Sequence, residues 1–265
     1  MIVSRLTTAI SIFALMFSTV AHAAEIEDII DRGSIRVGIA EFVPWAMRSK
    51  SGDLIGYEVD VAEKIAADMG VKAELISYDW DKIIGALENG EIDIISSGMA
   101  ITPGRALRIN FSRPVATSGI GIATNTAKTD HIETLGELNK PDIIITTVAE
   151  TLAESVSKTL FNEASVNVFR DKAAAEKEVI EGRAHAYLAT MPEIQYLTMK
   201  NSGKVDMPVA EPLLANSEGI AVRKGDQELL NFINSWVTAR TTDKWIATTR
   251  DYWFDSLEWA SADDE

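Results

Sequence analysis

Apolar residues along this chain switch between two periods. Ile35, Val37 and Ile39 alternate with their neighbours, the period of a strand. From Glu58 to Met69 the apolar positions Val61, Ile65 and Met69 fall four apart, which places them on one face of a helix. Ala73 to Ser77 is strand-like again, and Trp80 to Glu88 predicts a helix with Ile83, Ile84 and Leu87 on one side. Asn89-Gly90 is a natural stop for it, because a left-handed residue closes many helices. Ile92 to Ser96 then reads as a buried strand. Strand and helix in alternation are the pattern of an α/β sheet with parallel strands.

The alternation resumes after Pro114, with strands at Gly119 to Thr124, Ile143 to Thr147, Val166 to Phe169 and His185 to Leu188. Helices are predicted around Glu154 to Phe161 and from Asp171 to Glu181, which makes a second α/β unit. Asp226 is a suitable N-cap for a last helix whose apolar face carries Leu229, Phe232, Ile233 and Trp236. No repeat, low-complexity tract or Pro-rich linker separates the two units, and the tail from Ser261 to Glu265 reads as frayed.

The first 23 residues do not belong to this pattern. Arg5 is their only charge, an apolar run covers Ala9 to Val20, and Ala21-His22-Ala23 has the small-x-small form of an export cleavage site. The run is too short and too broken by Ser and Thr to span a bilayer, which takes about 20 apolar residues. The segment therefore reads as a signal peptide. The 265-residue chain is acidic, with net charge -15, and it has no cluster of Lys and Arg. That composition argues against nucleic acid and anionic lipid as partners. With no cysteine there is no disulfide, no thiolate ligand and no lipid-attachment site, so the expected location is the periplasm. The length allows one or two domains.

Chemistry concentrates at "SSGMAITPGRALRINFS", residues 96 to 112. Thr102 can cap a helix that begins at Pro103, and this puts Arg105 in the first turn. A cation there opposes the helix dipole, unless something anionic sits between the guanidinium and the free amides. The plainer alternative, an arginine paired with a neighbouring Asp or Glu on the surface, stays open on the residues alone.

The segments "GIAEFVPW", "GDLIGYEVDVAEKIAADMGV", "WDKIIGALENGEIDIISSGMAITPGRALRINFSRPV" and "NSEGIAVRKGDQELLNFINSWV" give the chain a resemblance to the periplasmic solute-binding proteins of polar amino acid ABC transporters, from about Gly33 to Trp245. The resemblance implies a two-lobed periplasmic binding protein-like fold of type II, its ligand cleft lying between lobes joined by two crossover strands. The first lobe would be residues 24–115 and 217–265, the second 116–216. By the same resemblance Arg105 holds the ligand's carboxylate, assisted by the amide of Ala100. Ser97 and Gly98 present main chain to the ligand, and Phe42 and Trp80 sandwich it. Core packing is the alternative for both aromatics. The implied partners are a small amino acid or zwitterion and an inner-membrane permease, for a protein acting as a monomer with no cofactor.

The second lobe departs from the family pattern. Glu150-Thr151-Leu152 stands where a Gly-Thr-Thr-like turn is usual, and Thr190 falls at or beside the aspartate that pairs with the ligand's ammonium. Thr190-Met191-Pro192-Glu193 also has the spacing of a capping box. With no counter-ion at Thr190, either Glu41, Glu150 or another acid pairs with the ammonium, or the ligand's cation is alkylated or delocalised and sits on aromatic faces.

Enzymatic signatures are sparse. His131 and His185 are isolated, without metal-ligand spacing, and Gly119-Ile120-Gly121 lacks the rest of a dinucleotide loop. One rival comes from proteins on the same fold, the exported cyclohexadienyl dehydratases, which eliminate water and carbon dioxide from a cyclic carboxylate and need a positioned acid. Thr190 supplies none. The sequence is therefore read as a binding component that closes over its guest, not as an enzyme.

Overall fold

The computed structural model describes residues 26–256 and 259–260. The segment read as an export signal, and the tail from residue 261, lie outside them. Among the described residues no helix is long and apolar enough to cross a membrane.

A short helix α1 (Ile26–Arg32) leads into β1 (Ser34–Ile39), and a small hairpin β2 (Met47–Arg48) and β3 (Leu54–Ile55) precedes α2 (Tyr57–Met69). Then come β4 (Lys72–Ser77), α3 (Trp80–Glu88), β5 (Ile94–Ile95) and the single turn α4 (Pro103–Ala106). The periodicity reading holds in detail. Val61 and Ile65 are buried while Met69 is half-buried, and α3 buries Ile83 and Leu87. Its stop is Gly90, at φ 75°, directly after Asn89.

The long strand β6 (Asn110–Asn125) carries the chain across to α5 (Thr126–Thr129), β7 (Ile144–Val148), α6 (Leu152–Leu160) and β8 (Ser165–Phe169). There follow α7 (Lys172–Ile180), β9 (Ala186–Thr190), α8 (Met191–Lys200) and β10 (Val205–Asp206). Strand β11 (Leu214–Val222) returns, and α9 (Gln227–Thr242) and α10 (Trp245–Arg250) end the chain with a turn of π-helix over Asp251–Ser256.

One nine-stranded sheet runs in the order β4-β1-β5-β11-β6-β9-β7-β8, with β10 on β6. β4, β1 and β5 are mutually parallel, and so are β9, β7 and β8. Between these trios the antiparallel pair β6 and β11 passes from one to the other. The cores divide the same way. Ile35, Val37, Ile65, Ile94 and Ile233 belong to one buried cluster, and Ile122, Ile145, Phe161 and Leu188 to another. The fold is thus mixed α/β of the two-lobed type, its lobes joined by the two crossover strands.

The register of the crossover pair shifts around Glu218, Gly219 and Ala221, a bulge that bends the strands where they pass between lobes. Asp226 precedes α9 as anticipated, but its carboxylate makes no cap bond and instead accepts from Arg223 Nη2 at 2.9 Å. The β1–β2 and β5–α4 connections bring Phe42 and Trp45, and Ser97, Gly98 and Ala100, to the junction of the lobes. That junction is where the chemistry collects.

Candidate functional site

Phe42, Trp45, Trp80, Ser97, Gly98, Ala100 and Arg105 form one wall of a cavity of about 50 Å³ between the lobes. The second wall comes from Thr151, Leu152, Tyr187, Thr190 and Glu193, with Asn216 of β11 at the crossover. By the space a single water requires, this volume holds a handful of non-hydrogen atoms.

Arg105 reaches the cavity because Thr102 caps its turn, the hydroxyl oxygen accepting from the Arg105 amide at 3.3 Å. The helix is four residues long, so its contribution is the cap and not a dipole. Arg105 Nη1 donates to the Ala100 carbonyl at 3.0 Å and Nη2 to the Glu150 carbonyl at 2.9 Å. The guanidinium also lies over the Trp80 ring, 5.2 Å from its centroid. Among the described residues it forms no ion pair. Burial pushes its pKa down to about 10, and the Glu150 charge works in the opposite direction. A guanidinium desolvated in this way, with only carbonyls and a ring beside it, favours an anion.

The segment from Ser97 to Ala100 lines the cavity as expected, but its polar groups are largely engaged. The Ser97 hydroxyl accepts from the Ala40 amide at 2.7 Å, and the Gly98 amide donates to buried Glu58 at 2.8 Å. At Ala100 the engaged group is its carbonyl, which holds Arg105. Gly98 has φ 59°, and a Cβ there would stand 2.8 Å from the Trp45 ring, so both conformation and space demand glycine. Phe42 and Trp80 both line the cavity, yet they meet edge to face at 5.3 Å and 82°. In this arrangement they touch each other and leave no slot for a sandwiched guest.

Three expectations for the site change. Glu41 does not line this cavity; it lines a neighbouring cleft with Phe42, Trp80 and Arg170, where its carboxylate pairs with Arg48 at 3.0 Å. The exposed Glu150 contributes its carbonyl, which accepts from both Arg105 and Trp80 Nε1, the latter at 3.1 Å. It does so in the left-handed region, φ 61°, which accounts for the glycine usual at this turn. Thr190 precedes α8 without a side-chain cap bond, so the capping box does not form. Its hydroxyl accepts from Trp45 Nε1 at 3.3 Å instead. The Thr-x-x-Glu device appears in modified form at Thr151, which caps α6, while Glu154 accepts from the Glu150 amide at 2.7 Å. Thr151 and Leu152 line the cavity as expected.

Sequence reasoning missed Trp45, Tyr187, Glu193 and Asn216. Glu193 is 3% exposed, and it accepts from the Tyr187 hydroxyl at 2.6 Å. Burial raises its pKa to about 7, against the opposing pull of Lys172. Its visible signal was a lone carboxylate within the apolar stretch Met191 to Leu197, which the capping reading had absorbed.

The lobes meet in further places. Arg170 pairs with Asp81, and Tyr196 of α8 stacks on Trp259 with ring centroids 5.4 Å apart.

The family described as Bacterial extracellular solute-binding proteins, family 3, matches residues 35–256. The L-cystine-binding protein TcyJ of Escherichia coli (strain K12) is 25% identical over 228 residues, 84% of each chain. A crystal structure of the ancestral amino acid-binding protein AncCDT-1, a precursor of cyclohexadienyl dehydratase, is 33% identical with TM-score 0.80, covering 88% of this chain and 100% of that one. The cyclohexadienyl dehydratase of Pseudomonas aeruginosa (strain PAO1) is 23% identical over 183 residues, 68% of each chain.

Proposed function

The chain belongs to family 3 of the bacterial extracellular solute-binding proteins, and from that premise we propose that it is the periplasmic receptor of an ABC importer, capturing an amino acid by lobe closure. The observation that carries this reading is Arg105, a desolvated guanidinium in the interlobe cavity whose protein partners are carbonyls and a ring. A carboxylate is the guest such a group favours, and a fork of N–H donors grips it at two points. The proposed lobes are residues 24–115 with 217–265, and 116–216, and the protein acts as a monomer. Residues 1–23 are its export signal.

Closure follows from where the contacts lie. The Glu150 carbonyl of the second lobe meets Arg105 and Trp80 of the first, so a guest on Arg105 sits against both lobes only when they are shut. A ligand bound more tightly to one form shifts the population toward it. The shut form is the one an inner-membrane permease recognises.

The test is a thermal-shift panel on the mature chain with L-cystine, L-alanine, L-histidine, L-lysine, L-glutamine, glycine betaine and prephenate. Ligand at a hundred times its dissociation constant stabilises by about 2.7 kcal/mol, which in a chain of this size raises the melting temperature by roughly 5 to 10 °C. At least one amino acid is expected to do so, and Arg105→Ala is expected to abolish the shift. No shift with any amino acid, or a shift that survives Arg105→Ala, rejects the reading.

Glu193 supports a second reading, a dehydratase acting on a cyclic carboxylate. A carboxyl with its pKa raised to about 7 is suited to donate a proton to a leaving hydroxyl. Prephenate separates the two, since conversion to an aromatic product marks the enzyme and binding without turnover marks the receptor.

A further inference from the structure

We propose that Glu193 selects for a guest bearing a positively charged nitrogen, and that capturing such a guest drives a proton out of the carboxyl cluster behind the second wall. The inference rests on the receptor reading and adds the residue that discriminates amines.

Thr190 is unable to do this, being uncharged and already bonded to Trp45. One helical turn further on, Glu193 presents a carboxyl to the cavity. Its surroundings leave it short of positive charge. Lys172 of α7 stands 3.3 Å from Glu176 and 3.9 Å from Glu193, so two carboxyls share one ammonium and the nearer claim is that of Glu176. Tyr187 of β9 donates to the same oxygen, Oε1. Oε2 takes no hydrogen bond among the described residues. Tyr196, on the same helix as Glu193, acts on Lys172, and Arg105 stands on the opposite wall.

The cavity therefore has a cation short of an anion on one side and a carboxyl short of a cation on the other. A zwitterion satisfies both walls. A carboxylate lacking nitrogen satisfies only Arg105 and leaves the protonation of Glu193 as it was in the empty cavity, with no partner to stabilise its buried charge. An ammonium group placed at Oε2 supplies that partner, and the carboxyl ionises as the guest docks.

Each amino acid without a titrating side chain that stabilises the wild-type chain is tested beside its α-hydroxy analogue, such as L-lactate for L-alanine. Calorimetry from pH 5 to pH 8, in buffers of different ionisation enthalpy, gives affinity and proton release together. With the Glu193 pKa at about 7, affinity for the amino acid is expected to weaken roughly a hundredfold between pH 8 and pH 5, with a fraction of a proton released at pH 7. The hydroxy analogue should show neither effect. Glu218, also raised to about 7, lies on the crossover strand and acts on both members of a pair, so their ratio isolates Glu193. In Glu193→Gln the ratio should fall at least tenfold and lose its pH dependence, while Arg105-dependent binding of the hydroxy acid persists. Wild-type calorimetry does not depend on that variant folding. Equal pH profiles for the amino acid and its analogue overturn the proposal and leave the receptor reading intact. Failure of every amino acid to bind overturns both.

Discussion

On the first lobe's side of the cavity, Ser97, Gly98, Ala100 and Arg105 come from a single stretch of nine residues, fixed by a threonine cap and a glycine. The second lobe assembles its wall from the start of α6, the end of β9 and the first turn of α8. A contiguous wall keeps its chemistry together under mutation. A dispersed one depends on tertiary packing, and here Thr190 is bonded to Trp45 while Glu193, one turn further on, also lines the cavity. The lesson is that groups gathered by one capped turn can be read along the chain, whereas groups gathered by packing between separate elements cannot.

The strongest way to break that contrast is to remove the first lobe's cation. Arg105→Ala should weaken carboxylate binding by about 2 to 5 kcal/mol, the range for deleting one side of a buried charged contact. Arg105→Lys should recover only part of it, because an ammonium lacks the two-pronged fork. Titration calorimetry checks both, and full recovery with lysine would show that charge alone, without geometry, sets the first wall.

Gly98→Ala attacks the same wall through its backbone. A left-handed alanine costs about 1 to 2 kcal/mol, and a Cβ 2.8 Å from the Trp45 ring adds a packing penalty of similar size. Urea unfolding should show a loss of about 3 kcal/mol. A loss under 1 kcal/mol would mean that the Trp45 ring and the loop adjust freely, and the first wall would be as plastic as the second.

Between the walls, Glu218 is fully buried on β11, accepting from Ser118 at 2.5 Å and from Asn216 at 2.6 Å while its other oxygen has no partner. Burial raises its pKa from 4.5 to about 7. Between those values the folded chain binds more protons than the unfolded one, so stability is expected to fall as pH rises through the window and to level off above it. The full step is about 3 kcal/mol as an upper limit, and Glu193 adds in the same direction. Melting curves without ligand should therefore show a higher midpoint at pH 5 than at pH 8, with a smaller difference in Glu218→Gln. A midpoint that rises with pH across this window would contradict the buried, partly unsatisfied state of both carboxyls.

The α/β alternation was legible because apolar periodicity reports burial directly, and Ile83, Leu87, Val61 and Ile65 all face the core as their spacing requires. Arg105 was legible because its turn is local. Glu193 and Tyr187 were not, because what gives them meaning is contact between α7, β9 and α8, which no spacing along the chain encodes. Glu41 misled for the converse reason, since it adjoins Phe42 in sequence but lies in the neighbouring cleft, paired with Arg48. The bond between Thr190 and Trp45 spans 145 positions, and it displaced a capping box that short-range spacing alone would favour.

The smallest effect concerns Glu150, where the second lobe keeps the backbone of the usual turn without its glycine. Its carbonyl holds Arg105 and Trp80 only because the residue sits at φ 61°, a conformation that costs an L-residue about 1 to 2 kcal/mol. Glu150→Gly removes that strain but loosens the unfolded chain, which takes back about 0.4 to 1 kcal/mol. Glu150→Ala keeps the strain and removes the same carboxylate, so the pair isolates the backbone term from the charge. The glycine variant should be the more stable of the two by about 0.5 to 1 kcal/mol, a difference of roughly 1 to 4 °C in melting temperature for a chain of this length. If the two variants melt together, the left-handed turn carries no strain, and the departure from glycine at this position has to be explained by the exposed carboxylate rather than by the carbonyl that clasps the opposite lobe.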